Sequence, residues 1–229
     1  MNWIGSNWEQ LFSLAWSHLG LALPPIILSF LLSLPLGWAA YRMSAQHRSR
    51  RFFDGGAIIV GLTSILYAIP SLALFLLLPV IFDSPILSPF NVISALLLYG
   101  IALQTRVVAE SFTAASDIQS AAVGASSALG YSEGQRILQV ELPLAGPGIL
   151  AGMRVVSAST ISMVSVGALI GVSSLGDLIT QGFLRNYPEQ IIVGTLAIIV
   201  LALVMDALLV LLGRLIMPWQ KVLQEAGHA

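Results

Sequence analysis

The chain has 229 residues, of which 57% are hydrophobic and only 9% are charged, and its mean hydropathy is +0.89. A soluble domain carries roughly 25% charged residues, so this composition excludes an ordinary soluble protein. The formal net charge of -1 gives a nucleic-acid partner no electrostatic support. Because the chain has no cysteine, disulfides, zinc-thiolate sites and thiol catalysis are excluded as well.

Five apolar segments are each near or above the roughly 20 residues that a helix needs to cross the hydrocarbon core. They lie at 17–41, 55–82, 90–109, 147–172 and 191–212. We therefore predict an all-α polytopic membrane protein with about five transmembrane helices in one domain, 17–213. We expect residues 1–16 to be an extracytoplasmic or interfacial segment without a cleaved signal peptide, since Trp3 and Trp8 suit an interface. Residues 214–229 are predicted to form a tail.

Prolines are expected to shape several of these helices, because proline removes a backbone hydrogen bond. Kinks are predicted near Pro24, Pro25, Pro35 and Pro70, and Pro147 is expected to open the fourth span at a first-turn position.

The arginines predict the orientation, because cytoplasmic loops next to membrane helices are enriched in Lys and Arg. The first loop contains four of them, at Arg42, Arg48, Arg50 and Arg51, whereas the loop 83–89 contains neither Lys nor Arg. We predict an extracytoplasmic N-terminus and a cytoplasmic C-terminus. The long loop 110–146 then faces the cytoplasm, where a partner would dock.

Two capping-box patterns lie in this loop, Ser116 with Gln119 and Ser132 with Gln135, and they predict two short helices. Gly130, between them, can adopt the left-handed conformation that ends a helix, and Pro143 is expected to stop the second one. The coupling loop 116–143 is thus predicted to be a helical hairpin. A local ion pair between Glu133 and Arg136 is favoured by their spacing.

The stretch 124–143 resembles the EAA motif of the type-1 membrane subunits of binding-protein-dependent ABC importers. The matching positions are Gly130, Val140, Leu142 and Pro143, whereas Gly124 replaces the acidic residue and Ser126 the second alanine. The further segments 68–73, 147–154, 167–171 and 174–176 are similar to the osmoprotectant branch of this family. The D-methionine branch is its close neighbour.

The resemblance implies the type-1 importer permease fold and a function in the plasma membrane of a prokaryote. Two membrane subunits, identical or paralogous, would pair over two ATPase subunits, and an extracytoplasmic binding protein would deliver the substrate. The hairpin would be the coupling helix that contacts the ATPase, through Gly124, Ala125, Ser126, Gly130, Glu133, Arg136, Val140, Leu142 and Pro143. The expected substrate is an osmoprotectant such as glycine betaine, choline, carnitine or proline betaine, with D-methionine or another amino acid as the alternative.

No cofactor is expected in this chain. A phosphate-binding GxxxxGK[ST] loop requires a lysine in that motif, and the only lysine, Lys221, lies outside one. ATP and magnesium are therefore expected in the partner ATPase, and this chain is predicted to be a transport subunit and not an enzyme.

Four residues are candidates for the translocation path: Tyr67, Pro70, Ser162 and Asp206. Tyr67 is a mid-membrane aromatic beside Pro70. Asp206 is costly in hydrocarbon and must face protein, water or a basic partner. For Asp206 we favour a structural contact towards the cytoplasmic end over a substrate ligand.

The sequence disfavours two other classes of membrane protein. An intramembrane hydrolase needs a base or metal ligands at membrane depth, but His18, His47 and His228 are dispersed. A self-sufficient secondary transporter would show repeated halves and a midplane ion site, and the sequence shows neither.

Overall fold

The computed structural model describes residues 5, 7–46, 55–118, 124–126 and 128–219. Within these ranges the chain is helical and contains no β-strand, which confirms the all-α class. The α-helices are α1 Trp8–Gln46, α2 Gly55–Ala68, α3 Ser71–Phe82, α4 Pro89–Ile118, α5 Glu133–Arg136, α6 Leu142–Val164, α7 Gly176–Leu184 and α8 Pro188–Ile216. A π-helical turn, Ile137–Glu141, joins α5 to α6, and a 3-10 turn, Ser165–Ile170, follows α6.

Four helical segments of the described chain are each long and apolar enough to cross a membrane: Trp8–Ala45, Pro89–Ser116, Glu133–Ile170 and Pro188–Ile216. The pair α2 and α3 meets the same criterion only together, and it is bent by 100° at its break. If the bent pair counts as one span, the total is five. This agrees with the prediction of about five spans.

Several helices extend beyond the apolar segments from which they were predicted. The first helix begins at Trp8, within the segment 1–16, and exposes an aromatic stripe of Trp8, Phe12 and Trp16 at the spacing of one helix face. The third span continues to Ile118, because residues 110–118 include no glycine or proline that would end it. These two helices therefore extend beyond the apolar runs from which they were predicted.

Two prolines behave differently from the prediction. Pro147 lies inside α6 and does not open the span, which begins at Leu142. Pro143 does not stop the second arm of the hairpin, since it occupies the first turn of α6, where no backbone N–H is needed. The preceding π-helical turn, in which the Leu142 N–H donates to the Ile137 carbonyl, carries the chain past this proline. Helix α1 includes Pro24, Pro25 and Pro35 without ending at any of them.

The core lies where α1, α4, α6 and α8 pack side by side. Helix α1 packs against α4, α4 against α6, and α6 against α8. The largest fully buried side chains include Phe75, Leu96, Ile161, Leu175 and Leu178. At Gly100 in α4, an added Cβ would lie 2.5 Å from Ser29 Oγ in α1, so this glycine permits the close approach of the two helices.

Candidate functional site

The hairpin turns at Gly130, whose φ of +79° lies in the left-handed region. The Tyr131 N–H donates to the Ser126 carbonyl at 3.1 Å, across this turn. A glycine adopts the left-handed conformation without the steric cost that a Cβ brings. The predicted role of Gly130 as the turn residue is therefore confirmed.

The second arm of the hairpin begins with the predicted capping box. Ser132 Oγ accepts from the Gln135 N–H at 3.3 Å, and the Ser132 N–H donates to Gln135 Oε1 at 2.9 Å. The first predicted box is wrong, because Ser116 lies inside α4 and does not begin a helix. Its partner Gln119 lies outside the described residues.

Glu133 and Arg136 each pair with another residue and not with each other, so the predicted Glu133–Arg136 pair is wrong. Arg42 Nη2 at the end of α1 donates to Glu133 Oε1 at 2.8 Å. Arg136 Nε donates to Glu141 Oε1, also at 2.8 Å. Arg42 and Glu133 are 91 residues apart in sequence and meet only in the folded chain. The π-helical turn places Glu141 beside Arg136. The first pair connects the hairpin to α1.

The hairpin also exposes large apolar side chains next to its turn. Leu129 is 76% exposed, and Tyr131 and Leu138 are exposed as well. Ser126 is buried, Gly124 and Ala125 are exposed, and Val140, Leu142 and Pro143 are half-buried. Exposed leucines on a polar hairpin are typical of a surface that contacts another protein.

Two translocation-path candidates lie at the break between α2 and α3. Pro70 is the N-cap residue of α3, and Tyr67 packs edge-on against Tyr99 of α4 with ring centroids 5.9 Å apart. Tyr99 Oη donates a short hydrogen bond to the Ile69 carbonyl, which lies in the break. Tyr99 thereby fixes the bent pair to α4.

The other two candidates lie on α6 and α8. Ser162 is exposed on α6, and its carbonyl accepts from Ser165 Oγ at 2.7 Å. Asp206 faces a basic partner, which is one of the three surroundings expected for it. Arg154 Nε and Nη2 donate to Asp206 Oδ1 and Oδ2 at 2.6 and 2.8 Å. Arg154 was not predicted as this partner. A search for an opposite charge inside another apolar span would have found it.

The described residues contain no group of three His, Asp or Glu side chains that could hold a metal ion. His18 is buried, and its Nε2 lies 2.8 Å from the Ile161 carbonyl oxygen. His47 and His228 lie outside the described residues.

Comparison with known proteins identifies the family. Residues 42–219 match the family described as binding-protein-dependent transport system inner membrane component. The chain belongs to this family. The match includes the hairpin and the spans from α2 to α8, and it confirms the resemblance found in the EAA-like stretch.

Named relatives match this inner membrane component over almost its full length. The choline transport system permease protein OpuBB of Bacillus subtilis is 28% identical over 95% of this chain and 94% of the relative. The glycine betaine/carnitine/choline transport system permease protein OpuCB of the same organism is 27% identical over the same shares. Both relatives are permease subunits of transport systems and not enzymes.

A solved structure shares the fold. The MetNI methionine ABC transporter, in inward facing conformations, contains a chain with a TM-score of 0.68 to this inner membrane component. The identity is 19%, and the alignment covers 91% of this chain and 94% of the other. The likeness establishes the type-1 importer permease fold.

Proposed function

We propose that this chain is the membrane-spanning permease subunit of an ATP-driven importer of a small osmoprotectant such as glycine betaine, choline, carnitine or proline betaine. The observation that carries the proposal is the match to the choline permease over 95% of this chain. The glycine betaine/carnitine/choline permease supports the same substrate class. Import of D-methionine or another amino acid is the alternative, but it has only the fold of the methionine transporter in its favour.

The proposal includes partners that supply what this chain lacks. Two ATPase subunits would bind ATP and magnesium, and a second membrane subunit would complete the path. An extracytoplasmic binding protein would deliver the substrate, in keeping with the family description as binding-protein-dependent. Closure of the ATPases on nucleotide would then rock packed helices between outward and inward access.

The hairpin is the proposed docking site for the ATPase. Its support is the exposed Leu129 beside the Gly130 turn, with Glu133, Arg136 and the half-buried Val140, Leu142 and Pro143 behind it. Gly124, Ala125 and Ser126 would complete the contact on the first arm. This role requires the hairpin to face the cytoplasm of a prokaryotic cell, with the start of α1 outside and the end of α8 inside the plasma membrane.

The four proposed path residues lie in two regions of the fold, at the break between α2 and α3 and on α6 and α8. Tyr67 and Pro70 are placed at a 100° bend, where a helix of an alternating-access transporter can move about a break. Ser162 has an exposed side chain on α6. Asp206 is proposed to act through its pair with Arg154.

Co-purification with the ATPase tests the proposal. Leu129→Asp places a charge on the docking surface and should reduce recovery of the ATPase by about tenfold or more, as for a central contact residue. The matched control is Leu184→Asp on α7, because Leu184 and Leu129 are both 76% exposed. Leu184→Asp should leave recovery unchanged.

Uptake measurements test the substrate. Liposomes that contain the permease, its ATPase and its binding protein should accumulate glycine betaine or choline when ATP is supplied. Accumulation of D-methionine alone would favour the alternative. Failure of the wild-type chain to bind any ATPase would overturn the proposed function as a whole.

A further inference from the structure

The ion pair between Arg154 and Asp206 is open to the surroundings, although both residues belong to membrane-spanning helices. The side chain of Arg154 is 42% exposed and that of Asp206 is 33% exposed. Arg154 lies on α6 and Asp206 on α8, each well inside its helix. Something other than this chain's own packing must cover the pair.

Hydrocarbon is a poor environment for this pair. Charged side chains within a membrane almost always face other protein groups or a water-filled cavity. The exposed residues of α6 beside Arg154 are small or medium-sized: Ala151, Val155, Ala158 and Ser162. The exposed face of α8 carries large apolar residues such as Leu203, Leu208 and Leu211. The α8 face therefore suits lipid, whereas the α6 face has smaller side chains and its charged pair requires other protein groups or water beside it.

The geometry of the pair leaves one edge of the guanidinium unoccupied. Nε and Nη2 donate to the two oxygens of Asp206. Among the described residues no hydrogen bond involves Nη1, so one N–H of Nη1 and the second N–H of Nη2 form a free edge. A guanidinium edge with two N–H donors matches a carboxylate, which accepts two parallel hydrogen bonds.

We propose that the α6 face with Ala151, Arg154 and Ala158 borders the water-filled translocation path, and that Arg154 binds the carboxylate of a zwitterionic substrate there. The inference rests on the proposed function and narrows its substrate class to betaines that carry a carboxylate. Asp206 holds the guanidinium in place and neutralises it. Such a pair attracts a passing carboxylate only moderately, and a transport site requires binding that is weak enough for release.

Labelling with a charged, membrane-impermeant methanethiosulfonate tests the position of the face. The chain has no cysteine, so a single Ala158→Cys variant carries one reactive thiol. In the complex with ATPase and binding protein, Ala158→Cys should react, because water ionises the thiol. Leu208→Cys, on the large apolar face of α8, is the control and should remain unlabelled. An unreactive Ala158→Cys, or one that forms only a disulfide with a second copy, would overturn the inference.

Substrate preference tests the carboxylate contact. Glycine betaine and choline share a quaternary ammonium group, but only glycine betaine has a carboxylate. Arg154→Lys keeps the charge opposite Asp206 and removes the planar fork, so the ratio of glycine betaine to choline uptake should fall by about tenfold. Arg106→Lys is the matched control, since Arg106 forms an exposed pair with Glu110 on α4, and its ratio should match the wild type.

The two experiments separate the inference from the function on which it rests. An unchanged ratio in Arg154→Lys, with both uptakes intact or both reduced alike, would overturn the carboxylate contact and leave the importer function standing. Absence of uptake of either substrate by the wild-type complex would contradict the proposed substrate class together with the carboxylate contact. Labelling of Ala158→Cys would still decide whether the α6 face meets water.

Discussion

Two ion pairs of the hairpin differ in how far they are removed from water. The pair of Arg42 and Glu133 is open, with the glutamate side chain 73% exposed. The pair of Arg136 and Glu141 is enclosed, with the glutamate side chain 5% exposed, and Glu141 Oε2 has no hydrogen-bond partner among the described residues. Loss of the partner therefore leaves very different environments for the two carboxylates.

We predict that Arg136→Met destabilises the protein and that Glu133→Gln does not. The first change leaves a buried carboxylate without a partner, which costs about 3 kcal/mol or more. The second removes an exposed ion pair, which contributes about 1 kcal/mol or less. Thermal unfolding of the purified protein in detergent measures both. Equal midpoints for the two variants would contradict the assignment of Glu141 as the enclosed partner.

A second stability prediction concerns Gly176, the first residue of α7. An added Cβ would lie 2.3 Å from the Ser165 carbonyl oxygen and 2.8 Å from its Cα. Because these are backbone atoms, Gly176→Ala should destabilise by about 1–3 kcal/mol. Gly20→Ala in α1 meets nothing within 4 Å and is the control, which should unfold at or above the wild-type temperature. The same thermal assay compares the two variants. An unchanged unfolding midpoint for Gly176→Ala would contradict the close contact and show that the 3-10 turn, which contains Ser165, can move.

At the scale of secondary-structure elements, local patterns succeeded where a breaker residue accompanied them. The same Ser-x-x-Gln pattern occurs at Ser116 and Ser132, yet only Ser132 begins a helix. Gly130 ends the preceding turn in one case, whereas Ala114 and Ala115 continue α4 into Ser116 in the other. A capping box selects the start of a helix only where the chain has already left the previous one.

Span number could be predicted from the sequence because bilayer thickness fixes the length of an apolar helix. The side-chain partners could not. Asp206 was expected to need a partner, but Arg154 is on another helix, and its approach depends on how α6 and α8 pack. The same applies to Arg42 and Glu133, which are distant in sequence and adjacent in space.

A further prediction concerns the break between α2 and α3. Tyr99→Phe removes the donor to the Ile69 carbonyl in the break, and loss of this part-buried hydrogen bond should cost about 1 kcal/mol. Tyr67→Phe is the control from the same ring pair, because Tyr67 is 46% exposed and should tolerate the change. Unfolding in detergent compares the two, and a larger loss for Tyr67→Phe would contradict this account of the break.

For the whole molecule, the spans determine which ends share a side of the membrane. If α1, the bent pair and α4 each cross the membrane once, the hairpin lies on the side opposite the start of α1. If α6 crosses as well, the turn between α7 and α8 lies on the same side as the start of α1. The arginines near the first loop favour the cytoplasm for the hairpin.

We predict that an impermeant thiol reagent labels Arg185→Cys on intact cells, because Arg185 directly follows α7 and the proposed orientation puts this turn on the extracytoplasmic side. Gly134→Cys in α5 should be labelled only after the membrane is permeabilised. The natural chain, which lacks cysteine, is the blank for both. The reverse pattern would invert the orientation and remove the hairpin from the reach of a cytoplasmic ATPase.

The continuity of the hairpin's second arm with α6 has a mechanical consequence. Glu133–Ile170 is one helical segment of 38 residues, roughly 57 Å long at 1.5 Å per residue. A lever of this length amplifies rotation, because a tilt of about 5° displaces its far end by roughly 5 Å. A small movement imposed near Glu133 thus reaches Arg154 and Ser162 as a displacement of the rod, and no chain of side-chain rearrangements is needed to carry the signal.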